Sequence, residues 1–121
     1  MSQPLFCIGK PEETDLFKAI EARILTRFPD TAVKHDRTQT AFVRKVQFTW
    51  VSLPRRKADA GAVMLSIGLP APLESPRIRH CAETAPGRWM HHIIVKSADE
   101  LDEELCSWIG AAWTLLGPGR R

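Results

Sequence analysis

The amino-acid sequence predicts an α+β domain, in which an antiparallel sheet of about five or six strands is flanked by an N-terminal and a C-terminal helix in two layers. Three observations carry that expectation. Residues 12–28 and 97–116 show helical spacing of apolar side chains, and residues 31–69 and 78–96 alternate with a period of two. The third is length: 121 residues supply one core and not two, so 1–121 is read as a single domain.

The first helix is expected over Glu12 to Phe28, with Leu16, Phe17, Ile20, Ile24, Leu25 and Phe28 on one stripe and Glu13, Lys18, Glu21 and Arg27 opposite. Pro11 suits a first helical turn, Glu12, Glu13 and Asp15 complement the positive end of the helix dipole, and Pro29 stops the helix. Ala32–Arg37, Thr40–Lys45, Val46–Leu53 and Gly61–Leu69 are rich in Val, Phe, Ile, Thr and Trp and read as an antiparallel meander. Strict alternation puts Val46, Phe48 and Trp50 on one face and Gln47, Thr49 and Val51 on the other, with the first set toward the helices. Residues 69–76 hold Pro70, Pro72 and Pro76, which forbid a central strand and make an extended connector.

Beyond the connector, Ile78–Thr84 and Arg88–Lys96 are joined by Pro86-Gly87, a turn signal that makes a hairpin. A two-residue loop there sets Cys81 opposite His92 and Ala82 opposite His91. Ser97 and Glu100 have capping-box spacing and open a helix carrying Leu101, Leu105, Trp108, Ile109 and Ala112 inward, ended by Gly117-Pro118. Trp50 and Trp108 are expected in the core, while Trp89 and Trp113 are left between core and pocket border.

An apolar share of 44% with 26% charged residues excludes a disordered chain. No apolar run approaches the roughly 20 residues of a bilayer span, and residues 1–10 lack a leader pattern, so a cytoplasmic protein without membrane contact is expected. Cys7, Cys81 and Cys106 are odd in number and widely spaced, which argues for reduced thiols rather than a disulfide or zinc framework. The common nucleophile, phosphate-loop and zinc-protease signatures are absent, so no cofactor is expected.

Charge is unevenly placed. Residues 34–96 hold eleven Lys and Arg against four acids, whereas residues 97–116 hold five acids and no base. Arg44, Lys45, Arg55, Arg56, Lys57, Arg77, Arg79 and Arg88, with Trp50 and Trp89 among them, form a candidate surface for an anionic ligand or nucleic acid. Solvated bases that keep strand edges from pairing explain the same residues without a ligand. The acids from Asp99 to Glu104 share a helix face that would suit a hard cation, or they serve the helix dipole. Cys81, His91 and His92 are the remaining candidate constellation, for a thiol nucleophile or a metal.

The stretch from Phe42 to Leu69, especially Val51-Ser52-Leu53-Pro54-Arg55-Arg56-Lys57-Ala58-Asp59 and Met64-Leu65-Ser66-Ile67-Gly68-Leu69, together with Ser75-Pro76-Arg77-Ile78 and Gly87-Arg88-Trp89-Met90-His91-His92, resembles a bacterial domain of unknown function broadly similar to the YdhG-like and YjbR/MmcQ-like small domains. The resemblance implies a compact α+β fold. YjbR-like relatives imply DNA binding and YdhG-like relatives imply iron carriage, though fold alone assigns neither and no residue role transfers. The expectation is therefore a non-enzymatic binding module, monomeric or homodimeric, for an anionic ligand or nucleic acid on the basic face. The alternative is iron handling or a small enzyme using Cys81, His91 and His92.

Overall fold

The first helix, α1, spans Pro11–Arg27, with Pro11 at its start, Glu12 and Glu13 in its first turn and Leu16, Phe17, Ile20 and Ile24 buried. It stands in a computed structural model that describes residues 4–44 and 46–115. Six strands follow: β1 (Ala32–His35), β2 (Gln39–Val43), β3 (Gln47–Ser52), β4 (Val63–Leu69), β5 (His80–Ala85) and β6 (Arg88–Val95). The second helix, α2, covers Glu103–Leu115, and three single 3₁₀ turns lie at Leu5–Cys7, Lys57–Asp59 and Ala98–Glu100. No helix among the described residues is long and apolar enough to cross a membrane.

All strand pairs are antiparallel, in the order β1-β2-β3-β4-β6-β5. The expected α+β architecture is therefore present, with the β5–β6 hairpin joined to the meander through β6. Both helices pack on the same side: α1 and α2 meet β4, and α2 also meets β3. Phe42, Phe48, Val51, Val63, Leu65, Ile67, Ile93 and Val95 point into the layer between sheet and helices and are all buried. Phe17 sits at its centre, 5.9 Å edge-on from Phe6 and 6.2 Å from Phe42 between ring centroids. Burial of such rings stabilises the fold by about 1.5–3 kcal/mol each.

Three expectations need correction, two of them because of β-bulges. Phe42 pairs with Thr49 but Val43 pairs with Gln47, which leaves Phe48 as an extra, unpaired residue. Phe48, Thr49 and Val51 consequently all turn inward and are fully buried. Trp50 is left on the sheet's other face, not in the core. In the hairpin, Ala85 pairs with Arg88 across Pro86-Gly87, and Gly87 takes φ +71°, which suits the second turn position after proline. A register shift between Glu83 and Ala85 then opposes Cys81 to His91 and His80 to His92. Cys81 and His92 thus lie on opposite faces of the sheet.

The third correction concerns α2. Ser97 accepts a hydrogen bond from the Asp99 amide and Glu100 Oε1 accepts one from the Lys96 amide, but this closes only the 3₁₀ turn Ala98–Glu100. Asp102 caps α2 itself, its Oδ1 accepting from the Leu105 amide at 3.1 Å. The Gly117-Pro118 stop signal lies outside the described residues. Cys7 and Cys106 are buried free thiols, as expected of two of the three cysteines, and Cys81 is half-buried and free. Trp113 stacks on Phe28 at 4.9 Å, and Trp108 borders the core.

Candidate functional site

The strands place one polar row across the uncovered face of the sheet. Lys34 pairs with Ala41, Ala41 with Trp50, Trp50 with Ser66, Ser66 with His92 and His92 with His80, so the row crosses all six strands. Beside it run Gln39, Ser52 and Met64 on one flank and Met90 on the other. The sequence around Ser66 explains its position, because Leu65 and Ile67 point into the core and alternation turns Ser66 and Gly68 away.

A depression of about 460 Å³ occupies this face, lined by Gln39, Trp50, Ser52, Arg55, Ser66 and His92 with Met64 and Met90 among its walls. A second, of about 410 Å³, lies beyond Trp50 and Met90 and is lined by Gln47, Thr84 and Arg88. Each contains one arginine, and no acidic side chain lines either. The Trp50 indole borders both and is fixed by its Nε1–H, which donates to Gln47 Oε1 at 2.9 Å. Arg88 is held above it, donating from Nη2 to the Gln47 carbonyl at 2.7 Å with its guanidinium carbon 6.0 Å from the Trp50 ring centre.

His92 is half-buried, its Nδ1 is 2.8 Å from Ser66 Oγ, and its ring lies parallel to His80 at 5.9 Å. Burial first, and then the neighbouring His80, Arg55 and His91, hold its pKa below the ordinary 6.5. This favours the neutral imidazole, and Ser66 Oγ occupies Nδ1, leaving Nε2 without a hydrogen-bond partner among the described residues.

The sequence-derived basic residues divide into two groups. Arg77 donates from Nη1 to Asp102 at 2.8 Å and to Glu104 at 3.0 Å, and Arg79 grips the buried Asp59 at 2.9 and 3.3 Å. Arg44 lies 3.7 Å over the Trp113 ring and 3.8 Å from Asp30. Arg55, Arg56, Lys57 and Arg88, in contrast, form no ion pair among the described residues, and the first three are exposed in the β3–β4 loop. Lys45 lies outside the described residues.

His91 is separated from His92 by the sheet. It is 1% exposed, its Nε2 accepts from the Leu73 amide at 3.0 Å, and its Nδ1–H donates to the Ile67 carbonyl at 3.2 Å. Both ring nitrogens are satisfied, so His91 ties the proline-rich connector to β4 and has no lone pair for a metal. The acids from Asp102 to Glu104 are also engaged, with Glu103 bound bidentately by Arg27 at 2.7 and 2.9 Å. Among the described residues no three His, Cys, Asp or Glu side chains gather where they could hold a metal ion. Sequence reasoning missed Ser66 and the outward position of Trp50; a lone serine inside the apolar run 64–69 was the available signal for the former.

A two-layer α+β domain with one sheet face bare is thus defined. Residues 9–115 match the family model described as Domain of unknown function (DUF5655), and the chain belongs to that family. No curated protein and no solved structure matches it.

Proposed function

We propose that this chain is a non-enzymatic binding module that takes an anionic ligand on its open sheet face, in a bacterial cytoplasm, with Arg55 and Arg88 as the anion-binding groups. The observation that carries the proposal is the contrast among the bases: Arg44, Arg77 and Arg79 meet carboxylates, while Arg55 and Arg88 line carboxylate-free depressions on either side of Trp50. An arginine fork without an internal carboxylate presents its remaining donors to a phosphate or carboxylate, and a depression with low-dielectric walls strengthens that attraction. Charge that only guards strand edges would lie along β1 and β5, whereas Arg55 stands in the β3–β4 loop beside interior strands. The resemblance to YjbR-like domains runs in the same direction, nucleic acid being one anion such a face would accept.

The test is a titration of ¹⁵N-labelled protein with inorganic phosphate and pyrophosphate at low and moderate salt. Amide shifts are expected around Trp50, Arg55, Ser66, Arg88 and His92, weakening as salt rises, and disappearing in an Arg55→Ala/Arg88→Ala double variant. Shifts confined to the helix face, or indifferent to salt and to the two arginines, would reject the proposal.

A further inference from the structure

The two ends of the larger depression ask for different chemistry. At one end stand the Arg55 guanidinium, free of any carboxylate, and His92, whose Nδ1 is occupied by Ser66 so that Nε2 is its remaining ring nitrogen. At the other stands the Trp50 indole, held by Gln47, and Met64 and Met90 wall the depression on its two flanks. Between them lies Ser66, paired with both Trp50 and His92, with the Ser52 hydroxyl and Gln39 amide along one flank.

A small anion such as phosphate satisfies the first end and leaves the indole and thioether surface wet. A neutral aromatic satisfies the second and leaves the arginine without a counter-charge. Joined to each other, an anionic group and a flat ring match both ends, and a polar linker matches the middle. The volume of about 460 Å³ lies within the range of roughly 300–1,000 Å³ for small-molecule sites. It has room for one such unit rather than several.

We infer that the depression between Trp50 and His92 binds a nucleoside monophosphate, with the base against the Trp50 indole, the sugar over Ser66, and the phosphate between Arg55 and His92. The inference rests on the anion-binding reading of the open face and narrows it to one ligand class. With the Ser66 hydroxyl donating to Nδ1, His92 offers Nε2–H to a phosphate oxygen. The second depression, with Arg88, lies across the Trp50 and Met90 boundary and is not used by a single nucleotide.

The experiment is calorimetric titration of the whole chain with AMP, UMP, adenosine, inorganic phosphate and a short oligothymidylate at low salt, with the Trp50 indole N–H resonance followed in parallel. AMP is expected to bind roughly tenfold or more tightly than either phosphate or adenosine and to move the Trp50 indole signal well beyond the shift that phosphate gives. Trp50→Ala is expected to reduce AMP to the affinity of phosphate, and Arg55→Ala to reduce it to that of adenosine. The indole resonance in unaltered protein keeps the test decisive even if Trp50→Ala is poorly folded.

AMP binding no better than phosphate, with phosphate still mapping to the open face, overturns the nucleotide inference and leaves the anion-binding reading intact. Oligothymidylate binding that depends on Arg88 while AMP fails overturns it in favour of a strand laid across both depressions. Absence of any anion on this face overturns both readings together.

Discussion

His91 and His92 are adjacent in the chain and have opposite roles, because a strand turns successive side chains to opposite faces. His91 is sealed beneath the proline-rich connector with both nitrogens paired, to the Leu73 amide and the Ile67 carbonyl. His91→Ala should remove two hydrogen bonds, orphan the Leu73 amide and leave a void, at a cost of roughly 2–4 kcal/mol in urea denaturation. His91→Phe restores the volume but not the acceptor and should recover only part of that. A loss below about 0.5 kcal/mol for His91→Ala, the level of an ordinary surface change, would show that the histidine does not hold the connector. Trp50 illustrates the same geometry in reverse: its size suggests a core residue, and its register places it on the open face between two depressions.

At the scale of elements, all six strands and α1 were legible in the sequence to within two residues at each end, since periodicity and proline placement report directly on local conformation. The faces were only partly legible. Phe48 and the residue between Glu83 and Ala85 are bulges, each moving the register by one and reversing which side chains face the core, and no residue type in either segment announces one. The candidate site suffered accordingly: the bases and His92 could be picked from composition, but the pairing of Ser66 with His92 and the internal engagement of Arg77 and Arg79 depend on contacts between distant segments. The start of α2 shows a related competition, in which Asp102 outranks the Ser97 capping box because it lies directly before the helix and also meets Arg77. Asp102→Ala, which loses both cap and ion pair, should lower the thermal midpoint by several degrees. Asp102→Asn retains a good cap and should lower it distinctly less. Equal losses in the two variants, measured by calorimetry, would mean that the Arg77 contact and not the cap is what matters.

Across the whole molecule, the acids at the start of α2 are neutralised by bases from other segments, Arg77 for Asp102 and Glu104 and Arg27 for Glu103, while Arg55 and Arg88 at the bare face of the sheet have no carboxylate partner among the described residues. The same arrangement sets the pH dependence of stability. Hydrogen bonds from Arg79, Arg77 and Arg27 hold Asp59, Asp102 and Glu103 respectively below their ordinary values of 3.8, 3.8 and 4.5. The unfolded chain therefore takes up protons first as pH falls through about 4, and this stability is present above those values and lost below them. His92 is also depressed, chiefly by burial, from its ordinary 6.5. For a base this means that the unfolded state binds the extra proton, so stability is full above about pH 7 and declines as pH falls from 6.5 toward the folded value. Two steps are expected in denaturation free energy measured from pH 8 to pH 3, an upper one from His92 and a lower one from the three carboxylates. His92→Gln, which keeps a polar side chain opposite Ser66, should flatten the upper step and leave the lower one unchanged. An upper step of the same size in that variant would assign it to another group and remove His92 as the titrating element of the open face.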